Sequence, residues 1–114
     1  MFFPHATVGA TRNTGDREYT VEFRERIRKS FDRQAAMATI GAELTRVEQG
    51  SVEIELPFDE KLTQQHGFLH AGIISAALDA AGTYAAYSVI DPDASILTIE
   101  FKVNLMSPGR GERF

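Results

Sequence analysis

The sequence predicts an α+β domain, because its hydrophobic period changes three times along the chain. Apolar residues recur first every fourth position, then every second position across a turn, then as an unbroken run of small and aliphatic residues, and finally every second position again. With 114 residues, 43% hydrophobic and 25% charged, the chain suits one domain that buries about two-thirds of its unfolded surface.

The first twenty residues carry Pro4, Gly9 and Gly15 and only short apolar runs. Such runs are too short for a signal-peptide core or a membrane span, so a flexible leader over 1–20 is expected ahead of a domain over 21–114. From Val21 to Ala38, Phe23, Ile27, Phe31 and Ala35 line one face while Arg24, Glu25, Arg28, Lys29 and Arg33 fill the others, which predicts an amphipathic helix with Thr20 as its N-cap. Next, Ala42 and Leu44 alternate with polar neighbours, Gly50 marks a turn, and Val52, Ile54, Leu56 and Phe58 alternate again. That pattern is a β-hairpin with one buried face.

A polar loop, Asp59 to Gln65, leads through His66-Gly67-Phe68-Leu69-His70 into the longest apolar stretch, Ala71 to Ile90. The stretch approaches membrane-span length, but it contains Asp79 and is about half small residues, which predicts a helix from Gly72 buried on nearly all sides and no membrane contact. Beyond an Asp91-Pro92-Asp93 turn, Leu97, Ile99, Phe101, Val103 and Leu105 alternate with Thr98, Glu100, Lys102 and Asn104, the clearest strand pattern in the chain. Ser107 to Gly111 ends it, and Glu112-Arg113-Phe114 reads as the start of another strand. Three strands make a sheet only about 14 Å wide, enough to cover one face of the apolar helix. A partner subunit or further strands would have to cover the rest.

Several function classes fall away. The net charge of -4, with no block of like charges, is the opposite of a nucleic-acid footprint. The absence of cysteine excludes disulfides, thiolate metal sites and a cysteine nucleophile, and suits a reducing compartment such as the cytoplasm. There is no G-x-S-x-G elbow and no Gly-rich phosphate loop. His66 and His70 have the spacing of a helical metal pair, but Gly67 stands where a zincin has its glutamate and no third ligand is evident, so no metal or cofactor is expected.

Asp79 is the anomaly, a carboxylate two turns inside an apolar helix, where an unpartnered charge is costly. Either it bonds Ser75 or Thr83, four residues away on each side, or lies on a thin exposed edge, or it is a catalytic carboxylate in a dry pocket. At the entrance of the same helix, His70-Ala71-Gly72 presents backbone N–H groups and the positive end of the dipole, which can polarise a carbonyl oxygen. Ala71 and Asp79 are eight residues apart, about 12 Å along the axis, too far to act on one carbonyl within one subunit. Two such helices running antiparallel across a two-fold axis would bring Asp79 of one to Ala71 of the other, so a homodimer, or a dimer of dimers, is expected, with the strand from Ile96 to Met106 as the edge that meets its copy.

The run Gln64-Gln65-His66-Gly67-Phe68-Leu69-His70-Ala71-Gly72, then Asp79, then the strand ending Asn104-Leu105-Met106-Ser107-Pro108, resembles the hotdog-fold acyl-CoA thioesterases of the phenylacetate-degradation (PaaI-like) group. The resemblance covers the chain from Val21 onward and implies an antiparallel sheet wrapped around a central helix. It implies hydrolysis of acyl-CoA to free acid and CoA, with Asp79 as general base or nucleophile and the Ala71 N–H polarising the thioester carbonyl. By the same resemblance His70 braces the loop or contacts the substrate, Gln64 takes the place of an Asn near the reacting centre, and Thr98 helps to position water. Gly72, Phe68 and Leu69 would then border the substrate. Two positions depart from the family pattern. Ala71 replaces a Gly, which keeps the N–H and adds a methyl, and Gln64 is one methylene longer than Asn.

In the family the sheet continues for two or three strands beyond the equivalent of Phe114, between the hairpin and the long strand, so the fold is expected to be incomplete at its C-terminus. The contrasting expectation is a non-catalytic acyl-binding or assembly module that keeps the helix without a complete sheet. A hotdog dehydratase would need a His-Phe-Pro or Asp-x-Asn-x-x-His pattern that this sequence lacks. Tyr84 and Tyr87 fit either an acyl tunnel or the core.

Overall fold

A computed structural model describes residues 19–114; most of the expected leader lies outside the described residues. Helix α1 (Tyr19–Asp32) buries Phe23, Ile27 and Phe31, the stripe that its four-residue period predicts. Thr20 lies inside the helix and is not its N-cap. The helix also ends earlier than expected. Arg33 and Gln34 donate to the carbonyls of Ser30 and Phe31 in tightened turns, Gln34 becomes extended, and a separate short helix α2 (Ala35–Thr39) follows. The break re-aims the chain: in an unbroken helix Met37 would point about 120° away from Phe31, whereas here Met37 and Ile40 are both buried and Ala35 is exposed.

Strands β1 (Glu43–Glu48) and β2 (Ser51–Glu55) form the expected antiparallel hairpin across Gln49-Gly50. The register shifts between Leu44 and Arg46, so Thr45 is an extra residue and the buried side passes from Ala42 and Leu44 to Val47. The expected start of a further strand at Glu112-Phe114 is also present. Leu56 and Phe114 exchange both backbone bonds, at 2.8 and 2.9 Å, and Phe58 N–H donates to Glu112. The ladder of β2 therefore continues along Leu56-Phe58 against Glu112-Phe114.

After a 3-10 turn, Glu60–Leu62, helix α3 runs from Ala71 to Tyr87. Ala77, Ala80, Tyr84 and Ala85 form one buried stripe against the hairpin and α1, and the other faces are half-exposed. Burial on nearly all sides is thus not what this chain achieves alone, because the narrow sheet covers one face. Tyr84 belongs to the core: its ring lies 6.0 Å from that of Phe31 and its hydroxyl bonds Ser30. Tyr87 lies at the rim, with the Arg26 guanidinium 4.3 Å over its ring. Ser88 closes the helix; its hydroxyl donates to the Ala85 carbonyl and accepts from the Gly50 N–H in the hairpin turn.

The segment 96–106 departs most from expectation. It forms no ladder, Leu97 is 89% and Ile99 99% exposed, and its face changes along its length. Thr98 turns towards α3, while further on Val103 and Leu105 line a cleft of about 660 Å³ between β2, residues 103–110 and the Ile74, Ala77, Leu78 and Ala81 side of α3. A strand holds one parity only when neighbours hydrogen-bond it on a sheet, and among the described residues no neighbour does.

Ile27 is wholly buried at the centre of the core that joins α1, the hairpin and α3. Ile27→Ala is expected to cost about 2 to 5 kcal/mol, read as a lower denaturant midpoint in urea titration.

Candidate active site

Two clusters stand about 12 Å apart along α3. The first lies at its entrance. Gln64 and Phe68 close a turn through Gln64 N–H to the Phe68 carbonyl and Gly67 N–H to the Gln64 carbonyl. The Gln64 Oε1 faces inward and accepts from the N–H groups of His66 and Phe68. Gln64 thus braces its own loop. Because residues 66–70 form a turn and not a helix, the four-residue spacing of His66 and His70 does not place them on a common helical face.

Leu69 is 2% exposed and serves the core, so its side chain does not border the open surface at the entrance. Its N–H donates to the Gly109 carbonyl, and a Cβ at Gly109 would come within 3.1 Å of Ile74 and 3.2 Å of Leu69. Only glycine lets that loop lie so close. The same loop sets the Arg110 guanidinium 4.8 Å over the half-buried Phe68 ring.

His70 is the N-cap of α3. Its Nδ1 accepts from Gly72 N–H at 2.8 Å, and its carbonyl accepts from Ile73 and Ile74 N–H. The Ala71 N–H has no partner among the described residues, which leaves it as a free donor at the positive end of the helix.

The second cluster holds Asp79. Ser75 turns back onto the Ala71 carbonyl and does not reach it. The partner is Thr98, whose hydroxyl donates to Asp79 Oδ1 at 2.8 Å, while Thr83 and Thr98 lie 3.1 Å apart, oxygen to oxygen. Thr98 has one hydroxyl proton and gives it to the carboxylate, so Thr83 must donate to Thr98. The hydroxyls thus line up towards the charge, and Asp79 Oδ2 has no partner among the described residues. Asp79 is half-buried, not enclosed in a dry pocket. Sequence reasoning weighed Thr83 as a direct partner of Asp79 and missed that it acts through Thr98, because the approach of residue 98 to α3 has no local signal.

The folded chain therefore brings Gln64, Phe68, His70, Ala71 and Gly72 together at one place and Asp79 with Thr98 at another, and does not join the two. A long helix packed against an antiparallel hairpin is the arrangement of the hotdog class of α+β proteins. The model of the thioesterase superfamily matches residues 66–113. A solved thioesterase family protein from Silicibacter pomeroyi shares 52% identity at a TM-score of 0.78, over 80% of this chain and 67% of that one. The chain belongs to the thioesterase superfamily. A thioesterase fold related to phenylacetic acid degradation, from Ralstonia eutropha JMP134, matches at 19% identity and a TM-score of 0.67 over 80% of this chain and 70% of that one, a likeness of fold. The 1,4-dihydroxy-2-naphthoyl-CoA hydrolase of Listeria monocytogenes is 33% identical over 66 residues, 58% of this chain and 54% of that protein. The chain spans about half the length of the curated relatives it matches. Among the described residues no helix is long and apolar enough to cross a membrane.

Proposed function

We propose that the protein hydrolyses acyl-CoA thioesters to free acid and CoA, in a site that two subunits share. The observation that carries this reading is the pair of opened groups: a carboxylate held by Thr98 with Oδ2 free, and one uncommitted N–H at the entrance of the same helix. In an antiparallel homodimer Asp79 of one subunit faces Ala71 of the partner subunit. Exposed Leu97 and Ile99, on the segment beside Asp79, supply an apolar surface for that contact.

The reaction needs little more. Water attacks the thioester carbonyl carbon as Asp79 takes its proton, or Asp79 attacks first and water cleaves the resulting anhydride. The carbonyl oxygen becomes an oxyanion against the Ala71 N–H, and the C–S bond breaks as the tetrahedral centre collapses. The sulfur leaves as thiolate, since a thiol with a pKa of about 8.5 needs no strong general acid. Gln64 shapes the loop that presents the entrance, and Phe68, Gly72 and the His70 ring border the thioester. The naphthoyl-CoA substrate of the Listeria monocytogenes relative favours an aromatic acyl group.

Purified protein incubated with aromatic and aliphatic acyl-CoA and a thiol reagent should release free CoA, fastest from the aromatic esters. An acyl-binding module would bind the ester and release none, and that outcome overturns the reading. Thr83→Val should lower turnover roughly fivefold, the worth of about one net hydrogen bond, and Thr83→Ser should restore it; steady-state kinetics of the two variants decide this.

A further inference from the structure

We infer that His70 is a positioning residue, a neutral cap that occupies the Gly72 N–H and so leaves the Ala71 N–H as the single open donor at the entrance of α3. This rests on the thioesterase reading for its functional consequence, though not for its chemistry. His70 is tied down on both sides. Its own N–H donates to the Leu62 carbonyl at 2.9 Å, its carbonyl takes Ile73 and Ile74, and its Nδ1 takes Gly72. Of the first four N–H groups of the helix, three are committed to His70.

The imidazole cannot also be a base. A neutral imidazole has one lone pair for accepting a proton, and here that lone pair, on Nδ1, receives the Gly72 N–H. The proton therefore sits on Nε2, and the ring can offer only a donor to whatever lies before it. Taking a second proton would cost the cap.

Gly72 has its own reason to be glycine. A Cβ there would lie 3.0 Å from His70 Nδ1 and 3.1 Å from Cε1, tighter than ordinary contact, so the ring would have to shift by a few tenths of an ångström to keep its bond. His70 and Gly72 are one device.

The charge of the cap matters as well. Asn, Asp and Ser are the usual N-caps, and Asp would cap this helix well. A carboxylate at residue 70, however, would stand beside the place where the thioester oxygen becomes negative. The imidazole caps without opposing that charge.

Two kinds of experiment test this. In the free protein, 15N chemical shifts of the His70 ring should show Nδ1 unprotonated and Nε2 protonated at neutral pH; an Nδ1–H tautomer overturns the assignment whether or not the protein turns over. In kinetics, His70→Ala should lower kcat about tenfold or more with KM changed far less. His70→Asn should restore kcat to within about threefold of the wild type, and His70→Asp should cap the helix yet remain slow. Gly72→Ala should lower kcat similarly, and should cost little more in the His70→Asn background, where no ring stands in the way. If Asn fails to rescue while melting temperatures match, His70 acts on the substrate directly and the clamp is refuted. If no variant, wild type included, releases CoA, the thioesterase reading fails and the ring shifts alone decide the cap.

Discussion

Asp79→Asn lowers turnover by roughly 10² to 10⁴, the usual contribution of a positioned base, while substrate binding changes far less. The substitution keeps the shape of the side chain and its bond from Thr98, since Asn Oδ1 can still accept. Only the charge and its proton affinity are lost. Folding should be spared because the carboxylate is half-buried and no ion pair with it exists among the described residues. Single-turnover release of CoA, with melting temperature measured on the same samples, checks both halves. Near-normal turnover in the Asn variant would refute the catalytic assignment of Asp79.

Ala71→Pro should be as damaging by the opposite route, removing a donor without disturbing the fold. Ala71 is the first residue of α3, where proline is welcome because its missing N–H has no helical partner. His70 already holds φ -61° and ψ 131°, an extended conformation compatible with a following proline. Loss of the oxyanion donor should cut kcat by roughly 10² to 10³. The two inactive variants then test where the site lies. In a heterodimer of Asp79→Asn with Ala71→Pro, one site receives both altered residues and the other receives neither. Random reassortment of equal amounts should therefore recover about a quarter of wild-type activity, given a closed two-fold dimer. If both groups acted within one chain, mixing would recover nothing.

The elements that were legible in the sequence are those whose signals are local. The stripe of Phe23, Ile27 and Phe31 specifies the buried face of α1, and the alternation through Val52, Ile54 and Leu56 specifies β2, because each pattern is read against the core that the same residues build. The break at Gln34 was illegible. It has no Gly or Pro to announce it, and it is driven by the burial of Met37 and Ile40, a tertiary demand. The segment 96–106 shows the reverse fault: its alternation is correct for a strand, but a strand exists only where a neighbour accepts its backbone bonds, and none does among the described residues. At the site, the helix entrance at His70-Ala71-Gly72 and the anomaly of Asp79 could be seen in advance, though not that His70 caps the helix. The hydroxyl chain from Thr83 through Thr98 could not, since residues 83 and 98 belong to elements whose meeting no local spacing encodes.

The Ser88 hydroxyl, bonded at once to the Ala85 carbonyl and to the Gly50 amide, makes the hairpin turn and the last turn of α3 mechanically one piece. Fraying of the helix end releases the tip of the hairpin, and opening of the hairpin unseats the helix end. These two regions should therefore exchange their amide protons with a common free energy of opening, as a single cooperative unit. Among the described residues the segment that carries Thr98 has no such fastening and should exchange far sooner. The chain is thus divided by its own hydrogen bonds: the last turn of α3 and the hairpin tip belong to the slow-opening unit, and the hydroxyl that orients the carboxylate belongs to the fast one. Docking of a second copy on that segment would slow its exchange selectively, so local protection at residues 96–106 reports assembly directly.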